Sequence, residues 1–109
     1  MGAGAINVDD ATFKKVVLDC PVPVLVDFWA KWCPPCRQMG PIVDELAGQF
    51  EGRARVVKLN VDLAPRTAAK YGVRSIPTFA VFWEGELIST LVGAQPKPKL
   101  VAALERVGA

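Results

Sequence analysis

Residues 22–36, VPVLVDFWAKWCPPC, set the frame for reading the rest of the chain. The first eight, 22–29, are apolar on both alternating faces apart from Asp27, the pattern of a strand covered on both sides. Ala30, Lys31 and Trp32 make a short connection. A helix is then expected over residues 33–50, with Met39, Ile42, Val43, Leu46, Ala47 and Phe50 close to the helical period. Pro41 falls inside that helix, has no N–H for the Arg37 carbonyl, and is expected to kink it. A buried strand that runs straight into a helix thus delivers Cys33 and Cys36 to the helix start. There, residues three apart share a face and lie close enough to bridge.

Upstream, residues 4–8 suit a short edge strand. Asp9 or Asp10 is placed to cap a helix running to about Leu18, with Phe13, Val16 and Val17 on one face; Pro21 and Pro23 punctuate its end. Downstream, residues 55–61 read as a second buried strand interrupted by Lys58, and residues 64–71 as a short helix stopped by Gly72. Strands at 78–83 and 86–92 meet at a Glu84-Gly85 turn, and a last helix covers 96–107 with Leu100, Val101, Leu104 and Val107 as its apolar face. The order is β-α-β-α-β-α-β-β-α. Its alternating half requires parallel strands with right-handed crossovers, and its second half adds an antiparallel hairpin. This predicts an α/β fold, a mixed sheet with helices on both faces. At 109 residues, a single domain over 1–109 is expected.

Composition narrows the function. The chain is 51% hydrophobic and 22% charged, the balance of a globular protein. A net charge of +2 with dispersed basic residues argues against nucleic acid or an anionic membrane as partner. No apolar run approaches the roughly 18 residues of a membrane span, and the first residues lack the basic and apolar regions of a signal segment, so a cytoplasmic protein is expected. There is no His, which removes Ser-His-Asp and Cys-His catalysis. Zinc wants four N or S ligands, and Cys33, Cys36 and a distant Cys20 do not supply them. Cys20 itself reads as a small free thiol.

What remains is thiol chemistry. Cys33 falls at the N-cap, where free backbone N–H groups and the positive end of the helix dipole favour a thiolate. Cys36 lies one turn inside and is expected to be the more shielded. Cys33 is therefore the attacking thiol, and Cys36 the thiol that resolves the mixed disulfide. Asp27 is anomalous in an apolar strand: burial would raise its pKa toward the range useful for proton transfer, unless it sits at a strand end and reaches solvent. Lys58 is the matching anomaly, coupled to Asp27 if the two strands are neighbours. Pro77 precedes a strand and marks a turn, cis or trans. Trp29 is expected in the core, while Trp32 either stacks on a substrate or covers the helix end.

Taken together, VDFWAKWCPPC at 26–36, Gly40-Pro41, VVKLNVD at 56–62, YGVRSIPTF at 71–79, Glu84-Gly85 and Val92-Gly93-Ala94 resemble bacterial thioredoxins over nearly the whole chain. The resemblance implies a thioredoxin fold, a central mixed sheet flanked by four helices. It implies that Cys33 and Cys36 cycle between dithiol and disulfide, with Asp27 buried behind Cys36 assisting its deprotonation and Lys58 nearby. It implies a cis Pro77 whose loop faces the cysteines, with the Ile76 backbone pairing with the substrate chain, and an apolar docking surface made of Trp32, Ile76, Pro77, Gly93 and Ala94. No bound cofactor is implied. Electrons come from a thioredoxin reductase, fed by NADPH or ferredoxin, and pass to disulfide-containing client proteins, the chain acting as a monomer. One departure stands out: Pro34 occupies the place of the usual Gly, giving Cys-Pro-Pro-Cys, and the dipeptide Pro34-Pro35 tunes redox potential. Pro34 removes an N–H that would favour the Cys33 thiolate, yet stiffens the loop toward closure.

The leading reading is a protein-disulfide reductase. A disulfide oxidase or isomerase shares the chemistry but belongs outside a reducing compartment. A non-catalytic thioredoxin-fold binding subunit would not require the dithiol.

Overall fold

The structure, a computed structural model, describes residues 4–109. Residues 1–3, the start of the expected 1–109 domain, lie outside the described residues. Five strands form one sheet: β1 (Ile6–Val8), β2 (Val24–Trp29), β3 (Arg55–Asn60), β4 (Thr78–Trp83) and β5 (Glu86–Val92), in the order β1-β3-β2-β4-β5. β1 and β2 run parallel to β3, while β4 is antiparallel to both β2 and β5. The mixed sheet expected from the alternation is therefore the observed one. Glu84 (φ 52°) and Gly85 (φ 81°) both take the left-handed conformation that a tight β4–β5 hairpin requires.

Because β2 and β3 are interior strands, both of their faces are covered. On one face, Met39, Val43 and Leu46 of α1 (Pro34–Gln49) and Leu100 and Leu104 of α3 (Lys97–Glu105) pack on Leu25, Val56, Phe79 and Val81. On the other, Phe13, Val17 and Ala68 pack on Val24, Val26, Phe28, Val57, Leu59 and Phe82. Phe13, Tyr71 and Phe82 form an aromatic trio there, with centroids 5.0 to 5.6 Å apart. Pro41 sits within α1 without ending it.

The N-terminal helix departs from expectation. Only Lys14–Leu18 is helical, as a π-type turn in which the Asp19 N–H reaches back to the Lys14 carbonyl at 2.9 Å. The segment before it is a turn closed by Asp9, whose carboxylate accepts the Ala11 and Thr12 N–H groups at 3.1 and 3.0 Å. Asp10 does not cap this segment. It crosses to α2 (Pro65–Lys70) and accepts the Arg66 and Thr67 N–H groups at 3.2 and 2.8 Å and the Thr67 hydroxyl at 2.7 Å. The α2 N-cap is Ala64, which has no acceptor of its own, so the cap comes from elsewhere in the chain. Those hydrogen bonds, led by the Thr67 hydroxyl, hold the Asp10 carboxyl below its ordinary range.

Candidate redox site

β2 ends at Trp29, and the chain turns through Ala30 to place Cys33 as the N-cap of α1, in extended conformation (φ −95°, ψ 106°). Cys33 and Cys36 are joined as a disulfide, with Cα atoms 5.2 Å apart. Pro34 and Pro35 fill the first two helical positions and carry no N–H. The third position, Cys36, donates its N–H to the Cys33 sulfur at 3.2 Å. An N-cap side chain accepts from the second or third helical N–H. Pro35, not Pro34, therefore removes a donor that would face the sulfur, which corrects the expectation for Pro34. The expected difference in shielding is also absent: Cys33 is 3% exposed and Cys36 is 2% exposed. What distinguishes the two sulfurs is the hydrogen bond at the positive end of the helix, which only Cys33 receives.

Asp27 does not reach solvent. It sits in mid-strand, 1% exposed, between Lys58 on β3 and Phe79 on β4, on the sheet face that α1 covers. Its Oδ1 has no hydrogen-bond partner. Loss of hydration pushes its carboxyl up to about 7; the Lys58 charge opposes this and the Asp44 charge adds to it. Asp27 and Lys58 are register partners, as neighbouring strands allow. The Lys58 ammonium, however, makes its ion pair with Asp44 of α1, 3.8 Å away, and lies 5.7 Å from the centre of the Trp29 ring. Trp29 is only half-buried, closing the end of the strand rather than filling the core, and its buried Nε1 is unpartnered.

The loop before β4 meets the cysteines from the far side. The Ile76–Pro77 peptide is cis, and the Ile76 carbonyl oxygen lies 3.8 Å from the Cys33 sulfur. Gly93 (φ 89°) donates its N–H to the Pro77 carbonyl at 2.7 Å, tying the end of β5 to the same loop. The five residues of the expected docking surface are unevenly accessible. Trp32 and Ala94 are exposed, Ile76 and Gly93 half-buried, and Pro77 buried. Trp32 is 67% exposed, with its indole N–H donated to Asp62 at 2.8 Å. Cys20 is a buried free thiol.

Two polar residues at the site escaped the sequence reading. Asp62 follows β3 within the VVKLNVD segment, and its position beside Lys58 and Asn60 was the available signal. Asp44 lies off the apolar stripe of α1, and nothing in its local sequence singles it out. Among the described residues, no group of three or more His, Cys, Asp or Glu is placed to hold a metal ion. Nor is any helix among them long and apolar enough to cross a membrane.

Residues 4–106 match the model of the Thioredoxin family. Similar proteins include "Thioredoxin" of Synechocystis sp., 54% identical over 100 residues that cover 92% of this chain and 94% of that one. "Thioredoxin 1" of Nostoc sp. is 53% identical over 95% of this chain and 97% of its own. "Thioredoxin M-type, chloroplastic" of Chlamydomonas reinhardtii is 53% identical over 95% of this chain and 73% of its own.

Proposed function

This chain belongs to the thioredoxin family and is a thiol–disulfide oxidoreductase of the protein-disulfide reductase kind, and from that premise we propose how its residues divide the work. The Cys33 thiolate attacks one sulfur of a client disulfide, forming a mixed disulfide and releasing the other client sulfur, which takes up a proton. Cys36 then loses its proton and attacks the Cys33 sulfur. The Cys33–Cys36 disulfide forms, the second client thiol leaves, and two electrons have passed to the client. The observation that carries this reading is the Cys36 N–H held on the Cys33 sulfur at the head of α1, an anion-stabilising contact built into the helix start.

Asp27 accepts the Cys36 proton. A buried carboxyl pushed up to about 7 exchanges protons near neutral pH, and it lies on the sheet face covered by α1, the helix that carries Cys36. Lys58 moderates that carboxyl. Trp32, Ile76, Pro77, Gly93 and Ala94 receive the client chain, with the exposed indole at its rim and the Ile76 backbone beside the reacting sulfur. Pro34 and Pro35 set the potential. The protein works as a single-domain monomer over residues 1–109, without a bound cofactor, recharged by a thioredoxin reductase drawing on NADPH or ferredoxin. Its work belongs in the cytoplasm, where thiols are kept reduced.

The test is capture. Cys36→Ser is expected to accumulate client mixed disulfides and to lose insulin-disulfide reduction, whereas Cys33→Ser loses reduction and captures little. Faster alkylation of Cys36 than of Cys33 at neutral pH would reverse the assignment.

A further inference from the structure

Lys58 is placed to neutralise Asp27 and does not do so. The two residues are register partners on adjacent strands, and Asp27 Oδ1 is buried without a partner. Yet the Lys58 ammonium is paired across the helix–sheet seam with Asp44 Oδ1 at 3.8 Å. That pair differs from an ordinary surface ion pair, which is mobile and weak. The Lys58 side chain is only 20% exposed, and although Asp44 is 49% exposed, the same Asp44 oxygen accepts the Ala5 N–H at 3.0 Å. The chain before β1 also passes tightly over the carboxylate: a Cβ on Gly4 would stand 2.6 Å from Asp44 Oδ1. Asp44 is therefore fixed by backbone on one side and holds a cation on the other. Of the other elements packed at this seam, β4 contributes Phe79 and β1 sets Asn7 beside Lys58, while α3 brings Lys97, whose ammonium is held by Glu45 of α1.

We propose that Asp44 is a positioning residue of the redox site: it holds the Lys58 ammonium against α1 and so prevents it from closing onto Asp27. The proposal rests on the reading of Asp27 as the proton acceptor, and it adds that acceptor's control. With Asp44 in place, Lys58 acts on Asp27 only through space, and the carboxyl stays high enough to bind a proton near neutrality. Without Asp44, Lys58 is free to pair directly with Asp27, which then ionises at lower pH and becomes a weaker base.

The test is to follow the Asp27 carboxyl by carbon NMR across pH in the disulfide form, where neither Cys33 nor Cys36 titrates. Asp44→Asn is expected to lower the Asp27 midpoint by about one pH unit, a tenfold loss of proton affinity. Asp44→Glu is expected to restore it. In a Lys58→Met background, the Asp44→Asn step should shrink to less than half, because the positioning role acts through Lys58. An unchanged midpoint in Asp44→Asn overturns the proposal. So does an equal shift with and without Lys58, which would mean simple repulsion between the two carboxylates. The acidic limb of the mixed-disulfide resolution rate should follow the midpoint. If the midpoint moves and the rate profile does not, Asp44 keeps its positioning role, and it is the proton-acceptor reading of Asp27 that fails.

Discussion

The two faces of the sheet are made by the same strands, one residue out of step, and they are built differently. Val24, Val26 and Phe28 of β2, with Val57 and Leu59 of β3, point into a face closed by Phe13, Val17 and the aromatic trio. Leu25 and Val56 begin the opposite face in the same way. The next inward positions toward the strand ends are then Asp27 and Lys58, and Trp29 closes that end. In a strand the period of two keeps these sets apart. Charge can therefore be placed at the end of the α1-covered face without breaching the dry core on the other side. One face supplies cohesion, while the other gives up cohesion at its end to hold a carboxyl with an unpartnered oxygen.

The largest effect that would break this contrast lies on the dry face. Phe28, fully buried, when truncated to Ala, is expected to cost about 3–5 kcal/mol in urea denaturation. The folded fraction should still reduce insulin disulfides at the parent rate. If folded Phe28→Ala loses activity, the two faces are not independent.

Next comes a change of opposite sign. The Asp27 carboxyl is raised from 3.8 to about 7, so the folded state binds its proton more tightly than the unfolded state does. Stability from that proton is complete below about 4 and is lost as pH rises through 7. Asp27→Asn removes the loss. It is expected to match the parent near pH 4 and to exceed it above pH 7 by up to about 4 kcal/mol, while slowing mixed-disulfide resolution more than the initial attack. Denaturation curves at pH 4 and pH 8 check the first part. A stability difference that does not depend on pH would show that the carboxyl is not the cause.

The smallest effect belongs to the helix start itself. Pro34 stands at a position whose N–H does not reach the Cys33 sulfur, so its contribution reduces to stiffness of the loop. Pro34→Gly frees the open dithiol and disfavours closure by about 0.4–1 kcal/mol. That should move the potential roughly 10–20 mV less negative, as measured by equilibration with glutathione. A shift under about 5 mV would make Pro34 neutral, and a shift to more negative values would overturn the stiffness account, since a regained N–H on the Cys33 thiolate would also move the potential less negative.

Local patterns carried most of the fold. The unbroken apolarity of 22–29, the helical spacing after Cys33 and the Glu84-Gly85 turn each correspond to an observed element, because strand period, helix period and turn chemistry act over a few residues. The N-terminal helix was the exception. Two adjacent aspartates both looked like caps, and only the packed structure separates Asp9, which closes its own turn, from Asp10, which serves α2. The site was legible to a similar depth. Cys33, Cys36 and Asp27 stand out by residue type in their segments, whereas Asp62 and Asp44 do not.

The sequence by itself determined that a dithiol would sit at a helix start beyond a buried strand, since N-cap position and three-residue spacing are properties of a few consecutive residues. It also determined that a carboxylate would be carried in that strand. Only the tertiary structure decided which charge answers it. Asp27, Lys58 and Asp44 come from three different elements, and the β2–β3 register sets Asp27 beside Lys58. The seating of α1 on the sheet, with the chain at Gly4 and Ala5 laid over Asp44, then turns the ammonium away. Pairings of that kind depend on distances across the core, which no local spacing encodes.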